Sequence, residues 1–117
     1  MFGIGHIELP STDFKVTKSF FGKIFNWKFE EVPEWKYMLF YAPYKPNGGF
    51  YLVKKMPKRH TILPYIEVDS IEKTLKAIKK YKGKVLINKT PIADMGWWAK
   101  FETPDGCPLA LWESAKK

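Results

Sequence analysis

The feature that most constrains this chain is a repeat. Strand, helix and three further strands occur twice, each time in about 50 residues, which makes each copy one supersecondary unit. The first module runs over about residues 3–55 and the second over about 61–115 of a 117-residue chain. Ile7-Glu8-Leu9 and Ile66-Glu67-Val68 stand at matching places, each just ahead of a helix start.

Within the first copy, Gly3 to Leu9 reads as a strand that Pro10 ends. Alternation puts His6 and Glu8 on one face and Ile7 and Leu9 on the other. Ser11, Thr12 and Asp13 are N-cap candidates for a helix over Phe14 to Phe25. Its apolar stripe has two rows, Val16, Phe20 and Ile24 beside Phe14, Phe21 and Phe25. Strands follow at Trp27 to Val32, Lys36 to Ala42 and Phe50 to Val53, with a loop at Pro43 to Gly49. Lys54 to His60 is a basic linker.

In the second copy, Thr61 to Val68 is a strand. Asp69 with Glu72 three residues on has the form of a capping box. Ile71, Leu75 and Ile78 give the helix one apolar face, and Gly83 is its expected stop. Strands at Lys84 to Asn88, Trp97 to Thr103 and Pro108 to Glu113 complete the unit, with a Pro-Asp-Gly turn before the last. The expected fold is α+β, two βαβββ modules in a single domain over 1–117. Their sheets form a half-barrel with helices outside and a concave cavity.

Lys and Arg number 20 against 12 Asp and Glu, a net charge of +8. Arg59 is the sole arginine, whereas sequence-specific nucleic-acid readers lean on bidentate arginines. Nucleic acid is therefore not the expected partner. The cluster Lys54, Lys55, Lys58, Arg59 and His60 reads as a solvated linker, with anion binding as the alternative. One cysteine, Cys107, excludes an internal disulfide framework and any multi-cysteine zinc site. No apolar run approaches the roughly 18 residues of a membrane span. No basic-then-apolar leader opens the chain. A cytoplasmic protein without a membrane partner is expected.

The order and spacing of several phrases resemble the vicinal oxygen chelate superfamily, the glyoxalase / bleomycin-resistance / extradiol-dioxygenase fold. These are His6-Ile7-Glu8-Leu9-Pro10, Phe20 to Phe29 (FFGKIFNWKF) and Pro46-Asn47-Gly48-Gly49 in the first copy. In the second they are Tyr65 to Ile71 (YIEVDSI), Gly83-Lys84-Val85, Asp94-Met95-Gly96-Trp97, Thr103-Pro104-Asp105-Gly106 and Leu111-Trp112-Glu113. The resemblance covers essentially the whole chain. It implies a homodimer, and in metal-using members a divalent ion held by His, Gln or Glu side chains from four strands.

Carried over position by position, the four ligand places fall on His6, on Leu52 or Val53, on Leu63 or Pro64, and on Ala110. Three of them are apolar, so no cofactor is expected. The alternative is a divalent metal at His6 with Glu8 and Glu67. A lone histidine is more often satisfied locally, and Glu8 or Tyr65 is the expected partner. Glu113 should point away from Ala110's face.

Aromatics make up 17% of the chain, enough for a thick core or an aromatic-lined pocket. Strand parity nominates His6, Glu8, Phe50, Leu52, Tyr65, Glu67, Trp98 and Trp112 as ligand-binding residues. A small organic molecule is the expected partner. The reading is thus a small-molecule-binding protein whose family metal site is mostly replaced. The alternative is a metal-dependent lyase, isomerase or dioxygenase of glyoxalase type.

Overall fold

Each half of the repeat folds as a sheet around one amphipathic helix. The computed structural model describes residues 2, 6–58 and 63–116. Gly3, Ile4 and Gly5 of the first expected strand, Thr61 and Ile62 of the fifth, and Arg59 and His60 of the basic cluster lie outside the described residues. The chain divides into two units, Met1–Pro57 and Lys58–Lys117. Among the described residues they hold two α-helices and two four-stranded mixed sheets, an α+β fold.

The first unit runs β1 (Ile7–Ser11), α1 (Phe14–Phe25), β2 (Lys28–Val32), β3 (Tyr37–Tyr41) and β4 (Gly48–Leu52). The sheet order is β1-β4-β3-β2, with β1 parallel to β4 and the other pairs antiparallel. Asp13 caps α1, its side chain accepting from the backbone N–H groups of Lys15 and Val16. Asn26, at φ 60, takes the left-handed conformation that ends the helix. Pro10 does not end β1 as expected but lies within it. β1 is an edge strand, so the N–H that proline lacks is not needed on its outer side.

Phe20, Phe21, Trp27, Met38, Phe40 and Phe50 fill the space between this sheet and α1. Trp27 is stacked between Phe21 at 4.6 Å and Phe40 at 4.3 Å, ring centroid to centroid. Burying each such side chain contributes about 1.5–3 kcal/mol before ordering costs.

The second unit runs β5 (Tyr65–Glu67), α2 (Ile71–Lys80), β6 (Lys84–Ile92), β7 (Gly96–Glu102) and β8 (Pro108–Ser114), in the order β5-β8-β7-β6. Ile71, Leu75 and Ile78 pack α2 onto Ala99, Phe101, Leu109 and Leu111, all buried. The cap is Ser70, one residue later than expected, its hydroxyl accepting from the Lys73 N–H at 3.2 Å. At the other end Lys82 takes the left-handed turn with φ 73. Gly83 then donates its N–H back to the Ile78 carbonyl at 2.8 Å. β6 is longer than expected because two register shifts let it stay paired with β7 as far as Ile92.

Candidate functional site

Each sheet has a face that turns away from its own helix, and strand register says which residues share it. In the first unit Glu8 pairs with Gly49, Gly49 with Leu39, and Leu39 with Glu30. Tyr37 pairs with Tyr51, two residues along from the Leu39–Gly49 pair. Directly opposed residues point the same way, so Glu8, Glu30, Tyr37, Leu39, Tyr41 and Tyr51 lie on one face. The opposite face carries Leu9, Met38, Phe40 and Phe50 against α1, and the bonded Ser11 and Thr17 hydroxyls, 2.6 Å apart.

Tyr37 organises the helix-free face. Its hydroxyl donates to Glu8 Oε2 at 2.9 Å and lies 2.8 Å from His6 Nε2. The His6 and Tyr37 rings are near parallel, 15° apart. Partial burial, the hydrogen bond to Glu8 and the Glu8 charge push the phenol up to about 12, so it keeps its proton through the neutral range. The ring of Tyr37 roofs Gly49, and a Cβ at that position would run into its Cε2, Cζ and Oη atoms. A second pair repeats the arrangement, Tyr41 donating to Glu30 Oε1 at 3.0 Å. That bond raises the Tyr41 phenol as well.

The nominated residues divide. His6 and Glu8 are brought together, with Tyr37 as the bridge in place of a direct contact or one to Tyr65. Phe50, expected beside them, is 1% exposed and packs on Phe21 and Phe40, ring centroids 5.4 Å away in each case. Leu52 shares its parity, pairing with Ser11 on the α1 side. Register sets the face: Phe50 pairs with Leu9 and Met38 on the α1 side, and the helix-free positions of β4 are Gly49 and Tyr51.

In the second unit Tyr65 pairs with Ala110, and Glu67 with Trp112, which pairs in turn with Trp98. These nominated residues share the helix-free face of their sheet, with the Tyr65 and Trp98 rings 6.3 Å apart. Trp97 has the opposite parity, and Lys89 Nζ lies 4.5 Å from its ring centroid. Glu113 also faces α2. Its Oε1 accepts from the Ile71 N–H at 2.8 Å and sits 3.8 Å from Lys89 Nζ. Cys107 is buried, and burial with the nearby Asp105 charge pushes its thiol up to about 12, away from nucleophilic chemistry.

Register also relocates one carried-over ligand place. Glu8 and Tyr65 each stand five residues before a helix cap (8 to 13 and 65 to 70), and they pair with Gly49 and Ala110. Gly49, rather than Leu52 or Val53, is therefore the first-unit counterpart of Ala110. Among the described residues no three His, Cys, Asp or Glu side chains come together in a way that could hold a metal ion.

The model of the Glyoxalase/Bleomycin resistance protein/Dioxygenase superfamily matches residues 3–111. The chain belongs to this family. A glyoxylase-like domain-containing protein of Didymella fabae is 33% identical to it over 91 residues, 71% of this chain and 70% of that one. Among solved glyoxalase-superfamily structures, a family enzyme from Burkholderia phytofirmans superposes with a TM-score of 0.79 at 10% identity, covering 94% of this chain and 97% of its own. The fosfomycin resistance protein FosX of Listeria monocytogenes, solved with Mn(II) and 1S,2S-dihydroxypropylphosphonic acid, gives 0.79 at 18% identity, covering 100% of this chain and 92% of its own. At such identities the two structures establish the shared fold.

Proposed function

We propose that this glyoxalase-superfamily chain binds a small organic molecule without a metal. The observation that carries the reading is the donor set. Of the places where a metal-using relative would offer ligands, His6 alone bears a donor side chain, while Gly49, Leu63 and Ala110 bear none. A divalent ion needs several nitrogen or oxygen ligands converging at roughly 2.0–2.6 Å. These residues do not fit such an ion. Glu113, the nearest carboxylate in sequence to Ala110, is committed to capping α2.

What remains is a polar trio on an aromatic face in the first unit and the Tyr65, Glu67, Trp98 and Trp112 face in the second. Both have the make-up of small-molecule surfaces, apolar and aromatic with few polar groups. The same proposal takes 1–117 as one functional domain, working as a cytoplasmic homodimer. The family resemblance supports the dimer, and light scattering after gel filtration measures it. No helix among the described residues is long and apolar enough to cross a membrane.

The test is elemental analysis of untagged protein after exposure to Mn, Fe, Ni and Zn ions, followed by thermal-shift screening of small organic molecules. Metal-free protein whose melting is unmoved by the ions but raised by an organic compound supports the reading. A stoichiometric ion that disappears in His6→Ala overturns it and restores the metal-dependent lyase, isomerase or dioxygenase alternative.

A further inference from the structure

The outer side of α2 carries a stripe of lysines that the small-molecule reading does not use. Residues 71–82 hold five, Lys73, Lys76, Lys79, Lys80 and Lys82, against one acid, Glu72. All five are exposed. Glu72 is engaged elsewhere, its Oε1 accepting from Lys89 Nζ at 3.1 Å. Among the described residues none of the five forms an ion pair, and Lys80 Nζ lies 5.7 Å from the Tyr81 ring centroid. At about 3.6 residues per turn, Lys73, Lys76 and Lys80 fall within about 60° of one another and span about 10 Å of the axis. They lie opposite the buried Ile71, Leu75 and Ile78.

Helix stability does not account for this stripe. Lys73 lies in the first turn, at the positive end of the helix dipole. Lys76 stands three or four residues from Lys73, Lys79 and Lys80, spacings at which like charges repel.

A polyanion is the electrostatic complement of such a face, and the side chains narrow its class. The stripe has no arginine for a bidentate base contact, and its aromatic residue, Tyr81, is half-buried beside Lys80. A protein that clasps a basic amphipathic helix needs the apolar side, which here is packed onto Ala99, Phe101, Leu109 and Leu111. An anionic lipid surface needs neither, because its headgroups move laterally to meet lysines. Clusters of about four to eight basic residues on a helix have that use.

We infer that the lysine face of α2 docks this chain on an anionic lipid surface, as a peripheral contact without insertion. The helix and the Tyr65, Glu67, Trp98 and Trp112 face lie on opposite sides of the second sheet, so docking leaves that face open.

The experiment is cosedimentation of the full chain at low salt with vesicles of phosphatidylcholine, alone or mixed with phosphatidylserine. Binding should require phosphatidylserine and be lost at high salt. Each lysine near such a surface strengthens binding about fivefold, so Lys73→Gln, Lys76→Gln and Lys80→Gln combined should weaken it about 100-fold. A control combining Lys15→Gln, Lys23→Gln and Lys45→Gln removes as much charge from exposed positions of the first unit. It should weaken binding less than about threefold, and circular dichroism should show both variants melting like the wild type. Equal losses in the two variants, binding to phosphatidylcholine alone, or no binding to the mixed vesicles overturns the inference. So does capture of the chain by a DNA duplex in preference to the mixed vesicles.

Discussion

Replacing Gly49 by Ala should dislodge the Tyr37 phenol from between His6 and Glu8. Gly49 is not among the glycines at positive φ, so alanine meets no backbone strain there. The conflict lies with the side chain, because the new Cβ would occupy the volume of the Tyr37 ring edge and hydroxyl. The ring has to swing away, and both hydrogen bonds, 2.8 and 2.9 Å long, go with it. On exposed side chains these are worth about 0.5–1 kcal/mol each, or about 1–2 kcal/mol together. Alanine restores about 0.5–1 kcal/mol, since glycine within a strand is itself unfavourable. The net loss should be about 0–1.5 kcal/mol, too small to be diagnostic alone.

A double-mutant cycle with Tyr37→Phe isolates the relevant part. Once Tyr37→Phe has removed the hydroxyl, the hydrogen bonds are already gone, so the two substitutions should couple by about 1–2 kcal/mol. Urea unfolding followed by circular dichroism measures the four stabilities. Tyrosine titration by NMR supplies the second readout, with Tyr37 falling from about 12 toward the ordinary phenol value in Gly49→Ala. Additive effects within about 0.5 kcal/mol, together with a Tyr37 that still titrates near its native value, would refute the assignment of Gly49 as the seat of the ring.

Two further outcomes are expected. Glu113 is 6% exposed and accepts the Ile71 N–H at the start of α2, so Glu113→Ala should strand a buried donor and cost about 2–3 kcal/mol in urea unfolding. Glu113→Gln, which keeps an acceptor, should cost less, and equal losses from the two would count against the capping role. The second concerns alkaline pH. The folded Tyr37 phenol is raised above its unfolded value of 10.0, so the neutral form is the one the fold favours. Its contribution is fully present below pH 10 and is lost as pH rises toward about 12. Wild-type protein should therefore lose stability faster than Tyr37→Phe across that window, and parallel curves would show that burial and Glu8 together do not raise the Tyr37 phenol.

Local rules carry much of this fold into view. Both helices are legible because Phe20 with Ile24, Phe21 with Phe25, and Ile71, Leu75 and Ile78 recur at helical spacing after a capping residue. Alternation places Trp98, Tyr65, Glu67 and Trp112 on one face, and the register agrees. Local rules fail where a partner strand decides. Pro10 breaks a strand in general but not an edge strand with its bare side outward. Gly48-Gly49 has the composition of a loop, yet it lies between β1 and β3 as part of β4, and pairing with those strands puts Phe50 and Leu52 on the α1 face. Asp69 and Ser70 are both capable caps, and helix geometry chose the second.

Nothing local marks Tyr37 in the sequence. It sits in an aromatic run, Tyr37 to Tyr41, where alternate residues have opposite fates: Met38 and Phe40 are buried against α1, and Tyr37 and Tyr41 hold carboxylates. A glycine one strand over from a tyrosine, with room for its ring, is a signal only once the register is known.

The sequence by itself determined the two βαβββ units, the helix stripes, the family and the scarcity of metal-ligating side chains, because periodicity, capping chemistry and residue type are properties of short stretches. Tertiary structure alone decided what His6 touches. Residues 6 and 8 are far in the chain from residues 37 and 49, and they meet only because β1 pairs in parallel with β4 while β3 lies antiparallel beside it. Pairing across strands set which face each side chain took, and that set the hydrogen bonds by which Tyr37 joins His6 to Glu8.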